Sequence, residues 1–167
     1  FAYEGCPEDV TPCIRCNKCH VVNLDGPWNS ICSVNPVVGL EHKIDQMIVP
    51  PSGHKKIAIV GGGPAGMKAA IISADRGYDV TLFEQSDALG GLLKHSDYAD
   101  FKWPLRNFKD YLIRQVNKRS AINVHLNTKA TPELLKQNDY DAVLVGIGSS
   151  PLFPPIKGLA QSHAVPA

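Results

Sequence analysis

The chain has 167 residues, 44% hydrophobic and 20% charged, with a formal net charge of +1. That composition is ordinary for a globular protein, and the near-neutral balance excludes the basic face that nucleic-acid binding needs. No apolar run approaches the roughly 20 residues of a membrane span, and the opening Phe1-Ala2-Tyr3-Glu4 has neither the basic start nor the apolar core of a secretory signal.

Residues 1–46 are rich in cysteine, proline and asparagine and show little periodicity, which predicts loops wrapped around a ligand set. Residues 47–55 read as a linker, because Pro50-Pro51-Ser52-Gly53 cannot continue a helix or a central strand. From Lys56 the pattern becomes α/β. Lys56 to Val60 is a β-branched run that suits a buried parallel strand. An Ala-rich helix is predicted over Pro64 to Arg76, with Gly77 placed to end it. Asp79 to Glu84 forms the second strand. A helix over Pro104 to about Lys118 carries Leu105, Phe108, Leu112 and Val116 on one face. Ile122 to Leu126 and Asp141 to Ile147 are two further strands, and Thr131-Pro132-Glu133 is a helix start. Strand, helix and strand in this order predict right-handed crossovers and a parallel sheet. Trp103, Phe108 and Tyr111 read as core. The opening on Phe1 suggests a piece of a longer protein. Clustered thiols without a signal peptide predict a reducing, cytoplasmic setting.

Four of the five cysteines, Cys13, Cys16, Cys19 and Cys32, lie within twenty residues of one another. Structural zinc sites pair their ligands as two separated knuckles. Here three thiols follow one another with two residues between them, and the fourth comes after twelve more. That set suits a [4Fe–4S] cluster, which four thiolates hold while loop N–H groups aim at sulfur. Structural zinc is the alternative metal, since thiolate sites bind either. Cys6 and His20 are read as standing outside the ligand set.

Gly61, Gly63 and Gly66 match GxGxxG, with a β-type run before and a helix after. Gly61 permits the tight turn, Gly63 lets backbone approach a pyrophosphate, and Gly66 lets helix pack closely on strand. Glu84 ends the next strand 18 residues after Gly66, where a carboxylate accepts ribose hydroxyls and repels a 2′-phosphate. FAD, NAD or ADP is therefore expected over NADP. Gly90 and Gly91 give a second backbone approach, and Gly146-Ile147-Gly148 passes close to the adenosine half. No nucleophile and no acid/base pair stands out, so any chemistry belongs to cofactors.

The order CIRCNKC…CSVNP, then IAIVGGGPAGM…VTLFEQSDALGG, resembles the C-terminal half of the iron–sulfur flavoenzymes related to old yellow enzyme. That group includes 2,4-dienoyl-CoA reductases, trimethylamine dehydrogenases and enoate-reductase-type NADH:flavin oxidoreductases. The resemblance implies an α/β fold: an incomplete Rossmann-like parallel sheet over 56–167, the first part of a split nucleotide-binding domain, preceded by the iron–sulfur segment. It makes Cys13, Cys16, Cys19 and Cys32 cluster ligands. It places Gly61, Gly63, Pro64, Ala65, Gly66, Glu84, Gln85, Gly90, Gly91 and Gly148 around an adenine nucleotide. The cysteine spacing is that of trimethylamine dehydrogenase, which holds ADP at the corresponding site, so FAD and ADP both stand. The implied parent adds an FMN barrel, an NAD(P)H-binding part and a homo-oligomeric assembly, with an electron-transfer flavoprotein as a further partner. Three functions are open: a portion of an FAD- and [4Fe–4S]-dependent NAD(P)H oxidoreductase acting on an unsaturated substrate, a non-flavin ADP-binding electron-transfer module, and a zinc-stabilised interaction domain.

Overall fold

β-branched and aliphatic residues with no charge between them form the centre of the molecule. In the computed structural model Lys56–Val60 is the first strand, β1. The structure describes residues 3, 5–20, 31–44, 51, 53–150 and 155–157. Most of the expected 47–55 linker lies outside these residues, as do 21–30 and nearly all of the chain after 150.

Helix α1, Pro64–Asp75, follows with proline in its first turn. It stops at Arg76, and Gly77 takes the left-handed conformation (φ 82°) that ends helices without a Cβ penalty. Strand β2, Asp79–Phe83, leads through the one-turn helix α2, Leu93–Ser96, to α3, Trp103–Asn117. Strand β3, Ile122–His125, the short helix α4, Pro132–Lys136, and strand β4, Ala142–Val145, complete the set. The Thr131 hydroxyl caps α4 by accepting the Leu134 N–H at 3.2 Å. The expected elements are all present, each within a few residues of its expected ends.

All three strand pairings are parallel, in the order β3-β2-β1-β4. Ile57, Ile59, Val80 and Leu82 pack against Met67, Ala70 and Ile71 of α1 and against Tyr111, Leu112 and Val116 of α3. Each large aliphatic chain buried this fully stabilises the fold by about 1.5–3 kcal/mol. β4 is covered least. Val145 and Ile147 are 69% and 73% exposed, and the strand pairs only with β1 among the described residues. Trp103 departs from the core expectation. It is 43% exposed, and its ring lies under the Arg15 guanidinium.

The start of the sheet carries a titratable staple. His54 Nδ1 lies 3.1 Å from the Gly77 carbonyl and Nε2 lies 2.8 Å from Asp79 Oδ2. Both acceptors can be served at once only by the doubly protonated ring. The Asp79 carboxylate, first by its hydrogen bond and then by its charge, raises the His54 pKa above the ordinary 6.5. A raised folded value means the contribution is full below the unfolded pKa and is lost as pH rises through the folded one. An NMR titration of the imidazole is expected to show a midpoint above 6.5. Asp79→Asn is expected to bring it down; an unchanged midpoint in that variant would refute the assignment.

Candidate functional site

The loop between β1 and α1 is shaped by contacts that exclude side chains. Gly61 has φ 106°, which an L side chain rarely adopts, and a Cβ there would strike the Gly146 carbonyl. A Cβ on Gly66 would run into the Gly61 carbonyl oxygen and lie 3.5 Å from Ile59 Cγ2. The first turn of α1 therefore rests directly on β1, and its N-terminal N–H groups face the open end of the sheet. Gly91 supports the loop from the other side, where a Cβ would come 2.8 Å from Gly63 Cα. The Gly90 N–H donates to the Gly62 carbonyl at 2.9 Å.

Glu84 is buried, only 8% exposed. Its carboxylate accepts the Gly62 N–H at 2.7 Å and the Ser86 N–H at 2.8 Å. Burial pushes its pKa up, but the two N–H donors, the Ser86 hydroxyl and the Lys94 charge outweigh burial and hold it below the ordinary value. The Lys94 ammonium is itself held by Ser86 Oγ at 2.8 Å and the Ala88 carbonyl at 3.1 Å.

These parts surround a cavity of about 410 Å³ at the carboxyl ends of the strands. Gly61, Gly63, Pro64, Ala65, Glu84, Gln85, Gly91 and Gly148 all line it. Gly66 and Gly90 are buried behind its wall and shape it through backbone contact. Ser86, Lys94, His95, Ser149 and Ser150 also line it and were not anticipated. A second cavity of about 340 Å³ shares Gly61, Glu84, Gln85 and Ile147 with the first and adds Thr128, Lys129 and Ala130. The rule that ligands bind at the carboxyl ends of parallel strands points to the residues after β3, and so would have found this wall. The arrangement can hold an anionic diphosphate on backbone N–H groups with a nucleoside beside Glu84.

The four thiols lie on the other segment. Cys13, Cys16 and Cys19 are exposed and Cys32 is half-buried. None of the five cysteines forms a disulfide. Cys13 and Cys32 line one cavity of about 750 Å³, together with Val34, Asn35 and residues of α3. The Arg15 N–H donates to Cys13 Sγ at 3.3 Å, and Ser33 Oγ lies 3.2 Å from Cys16 Sγ. The Ser33 hydroxyl, followed by the Lys18 N–H, lowers the Cys16 pKa and so favours the thiolate that binds metals. Arg15 and Asn17 both take left-handed backbone, φ 54° and 56°, in the two gaps between consecutive cysteines. Asn tolerates that conformation; for Arg it costs about 1–2 kcal/mol. Among the described residues, no three of the four sulfurs lie within 4.8 Å of one another. Four soft thiolates with an N–H aimed at sulfur fit a [4Fe–4S] cluster by donor chemistry.

Residues 55–165 match the family model of the pyridine nucleotide-disulphide oxidoreductases, and the chain belongs to that family. Its homologues are oxidoreductases of the 2,4-dienoyl-CoA reductase group. It is 35% identical to an NADH oxidase of Thermoanaerobacter brockii over 97% of this chain and 25% of that protein. A cinnamate reductase of Clostridium sporogenes is 34% identical over 97% of this chain and 24% of its own length. A solved 2-naphthoyl-CoA reductase in complex with 2-naphthoyl-CoA superimposes with a TM-score of 0.81 at 33% identity, covering 96% of this chain and 24% of that one. The chain thus spans about a quarter of the length of the relatives it matches.

Proposed function

We propose that this chain is the electron-transfer portion of an FAD- and [4Fe–4S]-dependent NAD(P)H oxidoreductase that acts, with an FMN barrel, on an unsaturated substrate. The observation that carries this is one compact unit with four metal-competent thiols on one segment and a diphosphate cradle on the next. Cys13, Cys16, Cys19 and Cys32 would hold the cluster. The N–H groups at the start of α1, with Glu84 beside them, would hold the ADP half of the flavin. When bound, the cluster supplies one-electron transfer and the flavin exchanges two electrons for one.

Three further observations support parts of this reading. Zinc at about 2.3 Å from each thiolate would bring tetrahedral ligands within roughly 4 Å of one another. No three of the four sulfurs here come within 4.8 Å of one another, so the close triplet that a zinc ion would draw together is not preformed. The first cavity is lined by Leu92, His95, Ser149 and Ser150 as well as by the glycine loop, a lining that a flavin extending past its ADP half could occupy. Relatives named for unsaturated substrates, cinnamate and 2-naphthoyl-CoA, are 33–34% identical. Those named for amines, a dimethylglycine dehydrogenase and a histamine dehydrogenase, are 26–28% identical.

The protein's own contribution is position and electrostatics. Glu84 locks the glycine loop in shape before any ligand arrives. Backbone N–H groups at the start of α1 would meet the diphosphate, and the one lysine lining that cavity, Lys94, is held by Ser86 Oγ and the Ala88 carbonyl. Anaerobic purification of the full-length protein is expected to give iron and acid-labile sulfide in equal amounts, together with FAD. Cys16→Ser is expected to lose most of the iron and keep the nucleotide. Zinc without sulfide would refute the cluster, and ADP alone would refute the flavin.

A further inference from the structure

Helix α3 has two working faces. At 100° per residue, Leu105, Leu112 and Val116 fall on one side, toward the sheet. Trp103, Tyr111, Arg114, Gln115 and Lys118 fall within a separate arc of about 120°. The second arc meets the cysteine segment. The Arg15 guanidinium sits 4.6 Å above the Trp103 ring. The Thr11 hydroxyl donates to the Tyr111 hydroxyl at 3.0 Å. Gln115 Nε2 and Lys118 Nζ donate to Asp9 Oδ1 at 2.7 and 2.5 Å. Arg114 reaches the Glu8 carbonyl at 3.4 Å.

The order is systematic. Positions 9, 11 and 15 meet 115/118, 111 and 103, so the segment runs antiparallel to the helix. The spacings agree as well. Two extended residues span about 6.6 Å and four helical residues about 6 Å. From 11 to 15 the chain can reach at most about 13 Å, enough to bridge the roughly 12 Å that the helix covers from 111 to 103. Cys13 lies midway in sequence between Thr11 and Arg15, the residues that reach the Tyr111 and Trp103 anchors.

The same helix touches the cradle. The Lys109 side chain packs over Gly90, where a Cβ would come 3.1 Å from Lys109 Cδ. Asp97, whose side chain is 7% exposed, fixes the Lys109 ammonium. Gly90 in turn bonds Gly62. Gly62 thus contacts Gly90 and Gly90 contacts Lys109, while Tyr111, two residues further along the same helix, holds Thr11, two residues before Cys13.

We propose that α3 is the spacer of the electron-transfer unit: the Trp103, Tyr111 and Gln115/Lys118 anchors hold the Cys13–Cys19 run at a fixed separation from the dinucleotide cradle. The proposal rests on the cluster reading above. Trp103, Tyr111 and Gln115 are positioning residues, since none touches a reacting atom.

The test uses the full-length protein, purified anaerobically, as wild type, Trp103→Ala, Trp103→Phe and Thr11→Val. Electron paramagnetic resonance of the reduced cluster reports its line shape, and rapid-freeze samples after mixing with NADH report how fast electrons reach it. Trp103→Ala is expected to keep wild-type iron, sulfide and flavin, to broaden the cluster signal, and to slow electron arrival roughly tenfold, because transfer falls steeply with separation. Trp103→Phe keeps an aromatic face for Arg15 and is expected to restore both. Wild-type line shape and rate in Trp103→Ala would overturn the proposal. So would iron loss in Trp103→Ala alongside wild-type rates in the iron-retaining Thr11→Val, because the contacts would then serve assembly alone. A wild-type protein without iron would instead remove the reading beneath it.

Discussion

Gly66→Ala is expected to destabilise the protein by about 2–3 kcal/mol, although helix propensity alone predicts a gain of about 1 kcal/mol for that change. Two effects compete, and magnitude decides between them. Gly66 is in the first turn of α1, where alanine is the better helix former. A Cβ at this position, however, runs into the Gly61 carbonyl, which is backbone and cannot rotate aside. The Gly61 N–H is bonded to the Phe83 carbonyl at 2.8 Å, and the next N–H, that of Gly62, is bonded to Glu84 at 2.7 Å. Relief requires α1 to lift off β1. That opens the contacts of Met67 and Ala70, both 0% exposed. Overpacking of this kind costs about 1–3 kcal/mol and occasionally more, a large share of a total stability of about 5–15 kcal/mol. Thermal unfolding is expected to show a drop of roughly 5–10 °C, with ADP affinity falling in parallel because the same loop forms the proposed diphosphate cradle. A variant that melts at or above the wild-type temperature would show that the loop yields and that propensity wins.

The α/β half was legible in the sequence because its signals are local. A glycine spacing, a β-branched run before it and an acidic residue after the next strand all act within about thirty residues, and each has a backbone reason. The structure gathers Gly61, Gly63, Glu84, Gln85, Gly91 and Gly148 around one cavity. Thr128 and Lys129 were missed because they sit on an irregular connection, and His95 because the one-turn helix α2 is too short to show a periodicity. The pairing of residues 9–15 with α3 was not legible at all. It joins positions about a hundred apart, and no spacing rule encodes such a register. Trp103 shows the same limit. An aromatic at the start of an amphipathic helix reads as core, but the structure uses its face to seat a guanidinium. The motif marks Glu84 as a candidate ribose acceptor; that its carboxylate also bonds the loop it faces has no signal in the sequence.

That double use makes Glu84 the sharpest test of the site. Both carboxylate oxygens already accept a backbone N–H, and each oxygen has a second lone pair for a ribose hydroxyl. Glu84→Ala removes both acceptors and leaves two donors without a partner in a buried site, at about 1–3 kcal/mol each. Glu84→Gln separates the roles. Its single carbonyl oxygen can keep one N–H, while the amide group turns a donor toward the other, and the negative charge is gone. ADP affinity in Glu84→Gln is expected to fall about 10- to 100-fold, the loss of one or two charge-assisted bonds, as measured by calorimetry on nucleotide-stripped protein. The pH dependence has a definite sign. The folded pKa lies below the unfolded value of about 4.5. The stabilisation is therefore present above that pH and is lost as pH falls through the folded pKa. Urea unfolding between pH 7 and pH 3 is expected to show a steeper acid loss in the wild type than in Glu84→Gln, which has no proton to gain there. Equal acid slopes together with unchanged ADP affinity would leave Glu84 as a loop brace without a ligand role, and the nucleoside would then have to be placed on the Thr128–Lys129 wall instead.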